Sequence, residues 1–262
     1  MKKIVFSVAL LVWAVFSYHA YSYIPNTPYH WGFNKGKNGM PADAGAKYEE
    51  ILEKYDAVYK GDPNKKHIYL TFDNGYENGY TAQILDVLKK HKVPAAFFIT
   101  GHYLRTAPKL AKRMADEGHI IGNHSWHHPD MTQITNDRLF KELEMVEEKT
   151  KEITELESMQ YLRPPRGIFS ERTLVAAKEA GYVHVFWSVA FKDWNIEQPK
   201  GPEYAYQQVM NQIHPGAILL LHTISKDNAD ALERIVVDLK KQGYIFKSLD
   251  DLYMERETKK IP

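Results

Sequence analysis

Three polar side chains in this sequence have types and spacing that suit hydrolysis. Asp73 directly follows the apolar, β-branched run 68–72. His124 and His128 lie four positions apart after a second apolar run, 119–122. On a helical turn, that spacing would place both imidazoles on one face, within reach of a single cation. A carboxylate beside them could act as a general base toward water, so the pattern predicts metal-assisted hydrolysis.

The elements that must position these residues alternate regularly from residue 67 onward. Apolar segments predict strands at 68–72, 95–99, 119–122, 159–163, 183–189, 217–221 and 244–246. Amphipathic stretches predict helices around 84–88, 110–118, 136–153, 171–180, 204–213 and 229–242, with a short last helix from Leu249. Repeated β-α units imply a parallel sheet covered by helices. Seven such units predict an irregular (β/α)7 barrel of the α/β class.

Barrels of this kind carry their active sites at the carboxyl ends of the strands. The polar candidates all follow predicted strand ends: Asp73, His124, His128, Arg163, Arg166, Asp193 and His222. We therefore expect them to converge on one cavity, although they are far apart in sequence.

The first residues have the pattern of a secretory signal peptide. Two lysines precede an uncharged apolar run, 4–16, and small residues at 20 and 22 suit cleavage after Ser22. An uncleaved membrane anchor is the alternative, and export is common to both. We predict a signal peptide over 1–22, an N-terminal extension over 23–66 packed on the barrel, and the catalytic domain over 67–262.

Charge and cysteine content exclude several functions. The chain carries 34 Lys and Arg and 33 Asp and Glu, and loss of residues 1–22 would remove two lysines and no acid, leaving 32 against 33. This balance gives no electrostatic reason to bind nucleic acid. The chain has no cysteine, so a metal must be held by nitrogen and oxygen ligands. We expect a monomer without a stable protein partner.

The segments above resemble the polysaccharide deacetylases, the metal-dependent carbohydrate esterases also called the NodB-homology family, over about residues 65–250. Five motifs occur in the family's order: Thr71-Phe72-Asp73-Asn74-Gly75, His124-Ser125-Trp126-His127-His128, Arg163-Pro164-Pro165-Arg166-Gly167, Asp193-Trp194 and Leu220-Leu221-His222. Asn74 in place of a second Asp, Arg166 in place of Tyr, the run 76–80 and the run 31–33 resemble the delta-lactam-biosynthetic de-N-acetylases of spore-forming bacteria.

That resemblance implies the substrate. Members of the subgroup remove the acetyl group of N-acetylmuramic acid in peptidoglycan, and the freed amine closes onto the lactyl carboxyl as the muramic δ-lactam of spore cortex. Two alternatives remain open at this stage. One is deacetylation of N-acetylglucosamine in peptidoglycan or chitin-like glycans, and the other is a non-catalytic glycan-binding protein on the same scaffold.

The resemblance also implies roles for single residues. Asp73 would be the general base, and Arg163 would orient it through a bidentate contact. His222 would be the general acid, with Asp193 as its charge partner unless Asp193 only caps a loop. The backbone N–H of Arg166 would help to bind the oxyanion.

Metal and substrate contacts complete the expected site. His124 and His128 would bind a divalent ion, with zinc suited to two imidazoles and other divalent ions still possible. Asn74 would be either a weak ligand or a residue outside the metal shell. The Arg166 guanidinium would bind the lactyl carboxylate of the substrate, unless it pairs instead with a nearby acidic side chain. Tyr76 and Trp194 are the remaining candidate substrate contacts.

Overall fold

The structure is a computed structural model that describes residues 24–260, with side chains as far as residue 258. The predicted signal peptide, 1–22, lies outside these residues. Within 24–260, none of the helices combines the length and apolar character that a membrane span needs.

A curled parallel sheet forms the centre of the molecule. The strands are β1 (Tyr29–His30), β2 (His67–Asn74), β3 (Ala95–Ile99), β4 (Ile120–Asn123), β5 (Tyr161–Leu162), β6 (Ile168–Phe169), β7 (Val183–His184), β8 (Ala217–His222) and β9 (Ile245–Phe246). The main sheet has the order β7-β5-β4-β3-β2-β8, and β9 pairs in parallel with the start of β2. This half-barrel sheet confirms the predicted barrel architecture.

The gap between the two edges of the sheet is bridged by the segment that follows β7. Val185 pairs with Val58, and Val189 pairs in parallel with Leu219 of β8. The backbone N–H of Leu220 donates to the carbonyl of Val189 at 2.9 Å. The predicted fifth strand, 183–189, is therefore regular only at its start. It continues as an irregular crossing, because it must leave β5 and reach β8 within a few residues.

Helices surround the sheet: most cover its outer face, whereas the last packs on the interior side and the first packs in a third cluster with the N-terminal extension. They are α1 (Ala46–Lys54), α2 (Thr81–His91), α3 (Gly101–Thr106), α4 (Pro108–Asp116), α5 (Asn136–Thr154), α6 (Glu171–Glu179), α7 (Pro202–Met210), α8 (Lys226–Lys241) and α9 (Leu249–Lys260). Thr135 and Ser225 accept hydrogen bonds from the first turns of α5 and α8. The helix predicted at 110–118 is preceded by a separate short helix, and α9 is longer than the short helix expected.

Side chains alternate across the strands, so both faces of the sheet are buried. Ile68, Leu70 and Phe72 of β2 pack toward the helices, where Phe72 stacks on Phe97 with ring centroids 5.0 Å apart. Tyr69 of β2 belongs to the second cluster, on the interior side of the sheet. The apolar contacts on both faces fix the register of β2, and this register places the last residues of the strand at the rim of the sheet.

The N-terminal extension packs against the loop that carries the third sequence motif. β1 pairs antiparallel with β6, immediately after that loop. The backbone N–H of Trp31 donates to the carbonyl of Gly167 at 2.9 Å, and its indole N–H donates to the carbonyl of Trp187 at 3.0 Å. Gly167 has a φ of 66°, and a Cβ there would lie 2.9 Å from both tryptophans. Only glycine fits this close approach without displacing its neighbours.

Candidate active site

A fully buried arginine holds the carboxylate that ends the first long strand. Arg163 donates from Nη1 to Oδ1 of Asp73 at 2.8 Å, and the two side chains are 0% and 8% exposed. Its other donors bind the carbonyls of Val185 at 2.9 Å and Phe186 at 3.3 Å. The predicted bidentate contact is therefore wrong, because two backbone carbonyls take the donors that a second carboxylate bond would need. The second oxygen of Asp73 stays free of Arg163.

The surroundings of Asp73 keep it ionised. Burial alone would raise the pKa of its carboxyl, but the positive charge of Arg163, together with His124 and His222, lowers that pKa below the ordinary value. The free oxygen, Oδ2, lies 3.6 Å from Nε2 of His124. Asp73 therefore offers an ionised carboxylate oxygen directly beside the histidine pair.

The two histidines of the second motif lie together, but not on a helical turn. Their ring centroids are 4.8 Å apart. The segment between them is a loop in which Ser125 and His128 have left-handed backbone angles, with φ values of 63° and 58°. The backbone N–H of His128 donates to the Ser125 hydroxyl at 3.1 Å, which stabilises this turn. The expected proximity is present, and the predicted helical geometry is wrong.

Both rings have the protonation state that metal binding requires. Nδ1 of His124 lies 2.8 Å from the carbonyl of Arg163, and a carbonyl can only accept, so this nitrogen carries the hydrogen and Nε2 keeps a lone pair. Burial lowers the pKa of His124, and burial together with the nearby His124 lowers the pKa of His128 to about 3. Neutral imidazoles of this kind are ligands for divalent cations.

Asn74 contributes a buried acceptor one residue from Asp73. Its side-chain nitrogen donates to the hydroxyl of Thr223 at 2.8 Å. Its oxygen, Oδ1, accepts no hydrogen bond from any residue in the range 24–260. An unpaired buried oxygen and two imidazole nitrogens suit a divalent ion whose remaining positions are filled by water or substrate. Within the same range, no three His, Cys, Asp or Glu side chains cluster as a ligand set.

His222 forms a carboxylate–imidazole pair on the other side of the cavity. Its Nδ1 lies 2.7 Å from Oδ1 of Asp193, and its backbone N–H donates to Oδ2 of the same carboxylate at 2.9 Å. Asn228 also donates to Asp193. Burial would lower the pKa of His222, but the charge and hydrogen bond of Asp193 outweigh burial and raise it. Asp193 therefore partners His222, as predicted, and leaves Nε2 as the free ring nitrogen.

Arg166 lies at the exposed turn beside His128. Its φ is 57°, a left-handed angle that is unusual for a non-glycine residue. Its positive charge contributes to the lowered pKa of His128, after burial and His124. None of the acidic side chains in the described part of the chain forms an ion pair with its guanidinium. The alternative that Arg166 pairs with a neighbouring acid therefore finds no support among these residues.

One cavity of about 550 Å³ lies among these residues, although Asn74, Arg163, Arg166 and Asp193 are not part of its wall. Its wall includes six of the residues singled out from the sequence, namely Asp73, Tyr76, His124, His128, Trp194 and His222. The cavity wall also includes residues that sequence reasoning did not assign to the site, among them His102, Arg105 and His127. His102 and Arg105 belong to none of the five motifs and reach the cavity from α3, whereas His127 lies within the second motif, in the loop between His124 and His128.

Comparison with known proteins places the chain in a family. The polysaccharide deacetylase family profile matches residues 60–185. The peptidoglycan-N-acetylmuramic acid deacetylase PdaA of Bacillus subtilis is 57% identical over 236 residues, which cover 90% of this chain and 90% of that protein. The solved structure of B. subtilis PdaA, a family 4 carbohydrate esterase, matches with a TM-score of 0.88 over 89% of this chain and 100% of that chain, at 57% identity. A peptidoglycan-N-acetylglucosamine deacetylase of Bacillus cereus is 30% identical over 250 residues, 93% of this chain and 90% of that protein.

The chain therefore belongs to the polysaccharide deacetylase family, as its motifs predicted. It is a carbohydrate esterase of family 4, a hydrolase that acts on the amide bond of N-acetyl groups in polysaccharides. Members of this family are in general metal-dependent.

The pair formed by His222 and Asp193 leads to a prediction about titration. Replacing Asp193 with Asn removes the charge that raises the pKa of His222, so we expect that pKa to fall below its value in the unchanged protein. At a pH below the pKa that His222 has in the unfolded protein, the ion pair between His222 and Asp193 makes its full contribution to the stability of the folded protein. That contribution is lost as the pH rises through the higher pKa that His222 has in the folded protein. NMR titration of the His222 ring protons measures the shift. Asp227→Asn is the matched control, and an unchanged His222 titration in Asp193→Asn would contradict the pairing.

Proposed function

We propose that this protein removes the acetyl group from N-acetylmuramic acid in peptidoglycan, as a step toward muramic δ-lactam in spore cortex. The main observation in support is that Asp73, His222 and the pair formed by His124 and His128 all line one cavity. The muramic acid specificity is supported by the relative from B. subtilis, which shares 57% identity over 90% of both chains. The glucosamine deacetylase from B. cereus is more distant, at 30% identity.

Asp73 would begin the reaction as the general base. Arg163 occupies one carboxylate oxygen, and the lowered pKa keeps the group ionised at neutral pH. The other oxygen faces the cavity near His124, where it can take a proton from the water that attacks the acetyl carbonyl. General base catalysis of this kind contributes about 10²–10⁴ to a rate.

His222 would complete the reaction as the general acid. Asp193 accepts the hydrogen on Nδ1, so the transferable proton is on Nε2. The raised pKa keeps that proton available near neutral pH. Transfer to the nitrogen of the breaking amide bond would release the sugar as a free amine, together with acetate.

The remaining groups would bind the metal and the developing negative charge. His124, His128 and the side-chain oxygen of Asn74 would hold a divalent ion. We propose zinc, because imidazole nitrogens are ligands that suit it. When bound, such an ion polarises the acetyl carbonyl and acidifies water. The backbone N–H of Arg166 would donate a hydrogen bond to the oxyanion. In other enzymes, removing one such donor raises the activation free energy by about 3–4 kcal/mol.

We place the reaction outside the cytoplasm, after cleavage of the proposed signal peptide at residues 1–22. Peptidoglycan glycan strands are then the partner. The near-neutral charge of the chain supports binding through hydroxyl, amide and aromatic contacts more than through a strongly cationic surface.

Acetate release from peptide-free peptidoglycan tests this function. We expect the protein with zinc to release acetate, and mass spectrometry of the digested glycan to locate the lost acetyl mass on muramic acid. Asp73→Asn should lower the rate by at least about 10² because the base is lost, and circular dichroism would check that this variant still folds. Loss of acetyl mass only from glucosamine would favour the alternative substrate. Glycan binding without acetate release under any divalent ion would favour a non-catalytic role.

Arg166 provides a second prediction, about substrate choice. N-acetylmuramic acid carries a lactyl carboxylate that N-acetylglucosamine lacks, and an unpaired guanidinium beside His128 suits a carboxylate. Arg166→Tyr should lower kcat/KM by about tenfold on peptide-free muramyl glycans, the equivalent of one charge-assisted contact, and much less on glucosamine oligomers. Steady-state kinetics on both substrates measures the ratio. An equal loss on both would reject carboxylate recognition by Arg166.

Asn74 provides a third prediction, about metal affinity. An amide oxygen carries no charge, so it should bind a divalent ion more weakly than a carboxylate does at the same position. We expect Asn74→Asp to bind zinc roughly tenfold more tightly or better than the unchanged protein. Calorimetric titration of the metal-free proteins measures this. Asn78→Asp adds the same charge nearby and controls for general attraction, and equal affinities in all three proteins would reject a role for position 74 in metal binding.

A further inference from the structure

A second carboxylate–imidazole pair faces the active-site cavity and has no role in the chemistry above. Oε1 of Glu142 lies 2.8 Å from Nδ1 of His127, and Oε2 accepts the backbone N–H of His127 at 2.7 Å. One carboxylate thus binds both the ring and the backbone of one histidine. Asp193 binds His222 in the same way, at 2.7 Å and 2.9 Å. The two pairs reach the cavity from different elements.

Glu142 is buried in a helix whose sequence suggests a solvated charged face. Its side chain is 0% exposed, and it accepts from Nε and Nη2 of Arg138 at 2.9 Å and 2.6 Å. A buried carboxylate is costly unless it is paired and hydrogen-bonded, and Glu142 has partners on both oxygens. Burial would raise its pKa, but the hydrogen bonds from His127 and Arg138 lower it. The helix therefore holds one imidazole with a fully buried carboxylate, whose ion-pair partner Arg138 is 52% exposed.

The imidazole of His127 therefore has one nitrogen, Nε2, that is available to a ligand. Nδ1 of His127 lies 2.8 Å from the Glu142 carboxylate, which can only accept, and 3.1 Å from Nη2 of Arg138, which can only donate, so this nitrogen is occupied in either tautomer. Nε2 is then free, on a side chain that is 53% exposed and lines the cavity. This nitrogen can accept or donate a hydrogen bond, depending on which form of the ring is present. A sugar hydroxyl can complement either form.

The same wall of the cavity carries further groups that suit a polyhydroxylated ligand. The guanidinium of Arg105 lies 5.1 Å from the ring centroid of Trp126, and His102 lies on the same helix as Arg105. The cavity volume of about 550 Å³ is within the range that holds a whole ligand of several rings, so it exceeds the needs of one acetamido group. The wall around His127 is therefore wide enough to bind sugar beyond the reacting group.

We propose that His127 is a glycan-binding residue that donates or accepts a hydrogen bond, through Nε2, at a hydroxyl of the sugar adjoining the one that loses its acetyl group. Glu142 and Arg138 are positioning residues, which fix the orientation of the ring before substrate binds. This inference rests on the proposed deacetylase function and assigns a subsite to it. The reacting sugar is placed by the Asp73 and His222 side of the cavity, and His127 extends recognition to the next ring.

Kinetics on glycans of increasing length test this assignment. His127→Asn keeps a donor for Glu142 and removes the Nε2 position, while His127→Phe removes both nitrogens and keeps an aromatic ring. For peptide-free tetrasaccharide fragments of peptidoglycan, we expect either variant to raise KM about tenfold, the equivalent of one lost hydrogen bond, with kcat changed less than about twofold. On a single N-acetylated sugar with no neighbour, KM should match that of the unchanged protein. Glu142→Gln should raise KM in the same direction by a smaller factor.

Two controls separate the possible outcomes. His91→Asn breaks a histidine–glutamate pair of similar length, 2.8 Å to Glu233, away from the cavity, and should leave both constants unchanged. Zinc titration of His127→Asn should give the affinity of the unchanged protein. A fall in zinc affinity, a fall in kcat alone, or an equal rise in KM on the single sugar and the tetrasaccharide would each overturn the assignment. Absence of acetate release from the unchanged protein would instead reject the underlying function.

Discussion

The buried ion pair between Arg163 and Asp73 is the constraint on which the rest of the site depends. Arg163 is fully buried, its guanidinium lies 4.1 Å from the ring centroid of Phe98, and its donors bind one carboxylate and two carbonyls. These contacts connect the ends of β2 and β5 with the irregular segment after β7. Removing one partner of a buried pair typically costs about 3–5 kcal/mol, because the other charge is left uncompensated. Asp73 is therefore held in place by the packing of the barrel itself.

A common arrangement fixes three of the histidines that line the cavity. In His124, His127 and His222, Nδ1 lies within hydrogen-bonding distance of a carbonyl or carboxylate oxygen. These contacts occupy Nδ1, so Nε2 is the nitrogen left available in each ring. The nature of the partner then separates the roles. A neutral carbonyl behind His124 suits a metal ligand, whereas the carboxylate of Asp193 raises the pKa of His222 and suits an acid.

The half-barrel and its additions contribute differently to function. Strand ends supply Asp73 and His222, whose positions follow from the register of β2 and β8. The loop that carries Arg166 is held by the N-terminal extension, through the hydrogen bond from Trp31 to Gly167. Helix α5 holds the histidine loop through Glu142. Two of the candidate site residues are thus positioned by the sheet, while Arg166 and the histidine loop are positioned by contacts with the extension and with one helix.

The sequence by itself determined the family, the sheet architecture and the residues that gather at the strand ends. These follow from local properties, namely apolar periodicity and short motifs, so segments such as 95–99 and 136–153 were predicted within a residue or so of the observed elements. Tertiary structure alone decided the details that join distant segments. The single bond from Arg163 to Asp73 joins residues 90 positions apart. The non-helical loop at Ser125 and His128 and the burial of Glu142 involve nearer partners, but no regular period in the sequence indicates these contacts. Hydrogen-bond partners compete in space, and no periodicity in the chain records which carbonyl or carboxylate will take a given donor.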